Sequence, residues 1–181
     1  MATQDKNDTI WDMVSEEVIP YLIHFSDKGI APRIIEVQSP GVFMQKAEGR
    51  RLGEVLTNKP KPAKLFPIYE ALGKNIAYLG KYGIFHTDLH TYNIVVENNL
   101  PVIIDWGKAS FSFLVCDYDG SFDAKELLRH TQETLGKNNR PEIYSPLESV
   151  FRKSFETEIK VPLEVSHEEI QEAAFERFNV I

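Results

Sequence analysis

The stretch Phe85 to Ile94, "FHTDLHTYNI", is followed eleven residues later by Asp105-Trp106-Gly107, "DWG", and no other feature constrains the fold as tightly. It gathers two carboxylates and a carboxamide, Asp88, Asn93 and Asp105, alongside His86 and His90. The segments around them say where these groups lie. "NIVV" and "PVIID" are rich in β-branched residues and enclose "ENNL", whose Asn98 and Asn99 tolerate the positive φ of a tight hairpin. The three polar side chains therefore belong on loops at the ends of short strands. Hard oxygen donors of this kind suit Mg²⁺, which takes one or two protein carboxylates and completes its octahedron with water and substrate phosphates.

The segment that delivers the chain to His86 reads as a helix. Ile68, Leu72, Ile76 and Leu79 recur at intervals of four, four and three, one apolar stripe ending near Gly83. Upstream, "TNKPKPAK" at Thr57 to Lys64 has two prolines that exclude regular helix and reads as a linker. Before it, "PRIIEV" and "VFMQK" around "QSPG" predict a β-hairpin. Ile10, Met13, Val14, Val18, Tyr21 and Leu22 predict a helix capped by Asp8 or Thr9, with a kink or break at Pro20. Downstream, Asp123 is expected to cap a helix through "DAKELLRHTQETLG" and to hydrogen-bond the loop around His86. Ser145 with Glu148 and Ser166 with Glu169 read as capping boxes for two more. The class is α+β, with strands early and helices late.

His86-Thr87-Asp88-Leu89-His90-Thr91-Tyr92-Asn93 fits H-x-D-L-x-x-x-N, and Asp105-Trp106-Gly107 stands where a D-F-G triplet would follow. On these residues the chain resembles the protein-kinase-like superfamily. His90, and the lack of an A-P-E triplet in the 17 residues between Asp105 and Asp123, bring it nearest in wording to RIO-type atypical kinases and aminoglycoside phosphotransferases. The resemblance is densest over Ile68 to Lys108 and extends to Ala31 to Leu56. It implies a kinase-like fold, with a reduced small lobe and hinge over 1–56 and a mostly helical larger lobe over 57–181. It also implies ATP with Mg²⁺, Asp88 orienting the acceptor hydroxyl, and Asn93 and Asp105 holding the metal. Gln45, Lys46, Ala47 and Gly49 would form the hinge that meets the adenine through backbone groups.

Two parts of that pattern are not found. No G-x-G-x-x-G occurs among the ten glycines, and fewer than 35 residues precede the hairpin. The strand lysine has only Lys6, Lys28 and Lys46 as candidates, and Glu16 or Glu17 would be its helix partner. The hairpin over Arg33 to Lys46 accordingly lacks identifiable neighbouring strands, which predicts self-association or a partner chain. His86 reads as a structural loop residue and His90 as facing substrate or solvent. Trp106 reads as packing residue, and Lys108, Arg152 and Lys153 as ordinary surface charges. "DYDGSFD" places its glycine wrongly for a calcium loop.

Composition narrows the classes further. A chain of 181 residues suits one domain, and its single cysteine, Cys116, excludes an intrachain disulfide or a cysteine-built zinc site. A reducing, cytoplasmic setting fits. No segment approaches the roughly 20 apolar residues of a membrane span. The net charge of -7 disfavours nucleic acid as a partner. Two functions stay open: phosphoryl transfer to a hydroxyl of a protein or small molecule, and a truncated or pseudokinase-like protein that works by binding.

Overall fold

The computed structural model describes residues 8–112 and 120–179. The hairpin forms as expected, from β2 (Ile34–Gln38) and β3 (Gly41–Gln45). An additional strand, β1 (Thr9–Asp12), pairs antiparallel with the other edge of β3, setting Ile10 opposite Met44 and Asp12 opposite Val42. Two expectations are corrected here. Asp8 to Leu22 is not one helix but β1, a connection, and then α1 (Ile19–Asp27). Pro20 lies in the first turn of α1, where its missing N–H has no partner to lose, so it opens the helix rather than kinking it. The hairpin, in turn, has a neighbouring strand within its own chain. Glu16 and Glu17 precede α1, and Glu16 accepts a hydrogen bond from Ser39 at 2.7 Å.

Past the sheet the chain runs through β4 (Arg50–Arg51) into α2 (Leu52–Thr57) and then α3 (Pro62–Lys81). The connection is thus shorter than Thr57 to Lys64, because Pro62 falls at the start of α3, where proline is compatible with helix. Ile68, Leu72, Ile76 and Leu79 are all buried. Their face of α3 packs most closely on α5 (Tyr144–Glu158), where Gly73 lets the helices meet: a Cβ there would collide with the Phe151 carbonyl oxygen. After α3 come the short strand β5 (Ile84–Phe85), the hairpin of β6 (Ile94–Glu97) and β7 (Leu100–Ile103), and β8 (Ser110–Phe111), which pairs with β5. Asn98 and Asn99 take φ of 51° and 65°, as the turn requires.

Helix α4 (Ser121–Lys137) lies against α3 and α5, tied to the core by a buried bond between Tyr69 and Thr131 at 2.8 Å. The capping box at Ser166 and Glu169 opens α6 (His167–Phe178). The one expected at Ser145 and Glu148 does not form, because α5 starts at Tyr144 and Glu148 instead pairs with Arg152. Helix α6 returns to α1. His167 Nδ1 and the Tyr21 hydroxyl are 2.7 Å apart, Arg177 pairs with Asp27 at 2.7 Å, and Lys28 pairs with Glu164 at 2.7 Å. Among the described residues no helix is long and apolar enough to cross a membrane.

Phe151 is a fully buried ring in the seam between α3 and α5. Phe151→Ala should lower the unfolding free energy by roughly 3–5 kcal/mol. Urea denaturation of parent and variant measures it, and a loss under about 1 kcal/mol would show that this seam is not the main core.

Candidate active site

The loop after β5 is built on one buried carboxylate. Asp123, in the first turn of α4, accepts the His86 N–H at 2.8 Å and the Thr87 N–H at 3.0 Å. It is therefore not the expected helix cap; Gly120 occupies that position and no side chain caps the helix. The two bonds hold Thr87 at a φ of 63°, a left-handed conformation that costs a β-branched residue energy. The Thr87 hydroxyl donates to the Lys108 carbonyl at 2.6 Å, pinning the loop to the chain just beyond Gly107.

His86 is structural, as its sequence context implies. It is buried, packs edge-on against Trp106 and bonds the Ile104 carbonyl through Nε2 at 2.9 Å. A carbonyl only accepts, so the ring proton sits on Nε2, leaving the buried Nδ1 without a partner. Burial pushes this imidazole down to about 4. Burial also pushes the Asp123 carboxyl up to about 6, against the opposing pull of its two amide donors. Trp106 is fully buried, as expected.

Asp88 and Asn93 meet directly, with the Asn93 side-chain amide donating to the Asp88 carbonyl at 3.0 Å. That contact occupies the nitrogen and leaves the amide oxygen as the end available to a cation. Asp105 is brought alongside by the hairpin, since Ile94 is opposite Ile103 and the Ile104 N–H donates to the Asn93 carbonyl at 2.9 Å. Asp105 is exposed and has a φ of 65°. Lys108, expected to be an ordinary surface charge, places Nζ 2.7 Å from Asp88 Oδ2. The hydrogen bond from Lys108 holds the Asp88 carboxyl below the usual range. His90 lies half-buried, accepting from the Tyr92 N–H at 3.2 Å, with its ring 5.1 Å from that of His130.

A cavity of about 400 Å³ opens between the sheet and the β6–β7 hairpin. Gln45, Lys46, Ala47 and Gly49 line it together with Asp105, so the hinge residues and one candidate metal ligand share a space in the size range of small-ligand sites. Asp88 and Asn93 lie outside its lining. Gly49 has a φ of 138°, and a Cβ there would collide with the Val96 carbonyl oxygen, so only glycine lets the hinge approach β6 this closely.

Asp12 is the site residue that sequence reasoning misses. It lines the cavity from β1, and its Oδ2 accepts the Trp106 N–H at 2.6 Å. Burial raises its carboxyl, and the nearby Asp105 charge adds to the effect. Ile10 and Trp11 line the cavity beside it, and nothing local in the sequence marks this four-residue stretch as a strand. No candidate for the strand lysine stands on β1 among the described residues. Lys28 pairs with Glu164, Lys46 lies in the hinge, and Lys6 lies outside the described residues, as does Asp117 to Asp119 of "DYDGSFD".

Among the described residues no group of three or more His, Cys, Asp or Glu side chains is placed to hold a metal ion. One carboxylate with one amide oxygen, Asp105 with Asn93, fits a cation that keeps most of its ligands from water and phosphate. A family model for the RIO domain matches residues 3–111 of the chain. The KEOPS complex subunit Bud32 of Pyrococcus abyssi (strain GE5 / Orsay) is 33% identical over 82 residues, which is 44% of this chain and 37% of that protein. The chain thus aligns with little more than a third of that relative's length.

The His86–Asp123 contact has a signature in pH. His86 is depressed from 6.5 to about 4, so its contribution to stability is complete above 6.5 and is lost as pH falls through that window. Asp123 is raised from 3.8 to about 6, so its contribution is complete below 3.8 and is lost as pH rises towards about 6. The two slopes oppose each other. Relative to the parent, Asp123→Asn should lose stability on going from about pH 6 to about pH 4, and His86→Gln should gain it. Urea unfolding of all three proteins at both pH values checks this; slopes of the same sign in the two variants would refute the assignment.

Proposed function

Because the chain belongs to the RIO domain family, we propose that it acts as an atypical kinase, moving the γ-phosphoryl group of ATP to a hydroxyl, in the first instance one on a protein. The observation that carries this reading is the convergence of Asp88, Asn93 and Asp105 on one loop and hairpin beside a cavity lined by the hinge. Gln45 to Gly49 receive the adenine through backbone groups, with Ile10 and Met44 covering it from the sheet. Asp88 orients the acceptor hydroxyl and takes its proton. Asn93 and Asp105 hold Mg²⁺, which when bound neutralises charge on the nucleotide phosphates. The small lobe and hinge comprise 1–56 and the larger lobe 57–181.

A second reading is favoured by Asp12, a carboxylate on the strand face where phosphates would call for a cation. On that reading the chain binds nucleotide and partner without turnover. We also propose a protein partner, since the matched relative is named as a subunit of a complex and β1 and β2 are the outer strands of the described sheet. A chain that stays strictly monomeric in light scattering across a wide concentration range would sink its homo-oligomeric form.

Three measurements separate the kinase reading from the binding one. Asp105→Asn should abolish the Mg²⁺-dependent part of the thermal shift given by ATP. Asp88→Ala should lower transfer from γ-labelled ATP by roughly 10² or more while leaving nucleotide affinity nearly unchanged. Wild-type protein that binds Mg-ATP yet transfers nothing, to its own hydroxyls, a protein acceptor or an aminoglycoside, would leave the binding reading standing.

A further inference from the structure

The charges around the cavity leave one requirement of that reading unmet. Phosphoryl transfer needs positive charge on the equatorial oxygens of the moving group, and a fixed side-chain cation commonly supplies part of it. The roof strand β1 contributes Ile10, Trp11 and Asp12 to the cavity, none of them cationic. The described lining cations are Lys46 and Arg51, both at the hinge side, and the Arg51 guanidinium donates to the Tyr92 carbonyl at 2.9 Å. None stands at the end formed by Asp12 and Asp105.

Lys108 is placed to fill that gap. Its carbonyl is fixed by the Thr87 hydroxyl, three residues beyond Asp105, while its side chain is 70% exposed. Its Nζ sits 2.7 Å from Asp88, the group that receives the acceptor. Asp88 and, more weakly, Asp105 both raise its affinity for the proton, so the ammonium lies in the field of the two carboxylates between which a transferring group must pass.

We propose that Lys108 is a catalytic residue that grips the transferring phosphoryl group, supplying from the segment after Gly107 the cation that β1 lacks. The inference rests on the kinase reading. The ammonium pairs with Asp88, and a nucleoside triphosphate would draw it to the γ-phosphate oxygens. The acceptor oxygen then bonds to the γ-phosphorus as the bond from phosphorus to the β–γ bridging oxygen breaks. The electron pair leaves with ADP, and the acceptor proton passes to Asp88. The exchange also times the base, because a carboxylate that loses its ammonium partner holds a proton more readily.

The test compares Mg-ADP with the Mg complex of the β,γ-imido analogue of ATP by calorimetry on the full chain, with transfer from ATP measured in parallel. The parent should bind the triphosphate analogue about tenfold or more tightly than ADP, reflecting a contact worth about 1.4 kcal/mol. Lys108→Met should erase that preference, leave ADP affinity within about twofold and lower kcat by about 10² or more. Lys108→Arg should restore a large part of both. A Lys108→Met protein that keeps the triphosphate preference and turns over normally overturns the proposal while leaving the kinase reading intact. If Lys108→Met keeps the preference and only shifts the pH profile of kcat, the lysine acts through Asp88 alone and the phosphoryl contact is refuted. If the parent binds neither nucleotide, the kinase reading and this inference fall together.

Discussion

The two hydrogen bonds that Asp123 accepts from successive backbone amides underlie the geometry of the whole site. A left-handed threonine is unfavourable by itself, and a loop free to relax would let Thr87 return to ordinary φ, rotating Asp88 with it. The carboxylate prevents this by giving both amides a partner that no relaxed conformation offers, and it does so from the rigid first turn of a helix packed into the core. The strain at Thr87 is thus offset by α4, the same helix that sets His130 beside His90. Asp105, also left-handed, is held by the hairpin instead, so the candidate acceptor group and the candidate metal ligand are supported by different parts of the fold.

Charge in the cleft is arranged unusually for its class of chemistry. Asp12 reaches down from the sheet to the backbone of Trp106, which joins the two layers directly across the cavity end. That bond stiffens the junction and places a third carboxylate near Asp105. Negative charge accumulated there repels anions unless cations balance it, so this end of the cavity depends on cations from the elements around it. The layers are coupled a second time through the Ile103 N–H, which donates to the Ile30 carbonyl at 2.8 Å.

Legibility in the sequence follows the range of the interactions involved. The β6–β7 hairpin and the Asp88, Asn93 and Asp105 set are readable because turn residues and spacing specify them within twenty or so residues. The α3 stripe is readable because twenty residues suffice to display a helical period. Strand β1 is not, since four residues are too few to show alternation and Ile10, Met13 and Val14 happen to recur at helical intervals. Its existence is decided by pairing with β3, some thirty residues later. Asp12 and Lys108 acquire their partners only through such long-range closure, so each looks locally like an ordinary surface charge, whereas the bond from Asp123 to the loop around His86 is expected and forms. Ser145 shows the reverse error, a local capping signal overruled when tertiary packing starts the helix two residues earlier.

The docking of α6 onto α1 has a consequence for how the molecule comes into being. Tyr21 and His167 are separated by 146 positions, and Asp27 and Arg177 by 150. A ribosome releases the chain at roughly 5–20 residues per second, so α1 is exposed for several seconds before its covering helix exists. During that interval the aromatic face formed by Tyr21, His24 and Phe25 has no cover from α6 and is held by Tyr78, Tyr82, Trp106 and Phe111. The nascent sheet and α1 are therefore the segment with most to gain from a chaperone until α6 has emerged and docked.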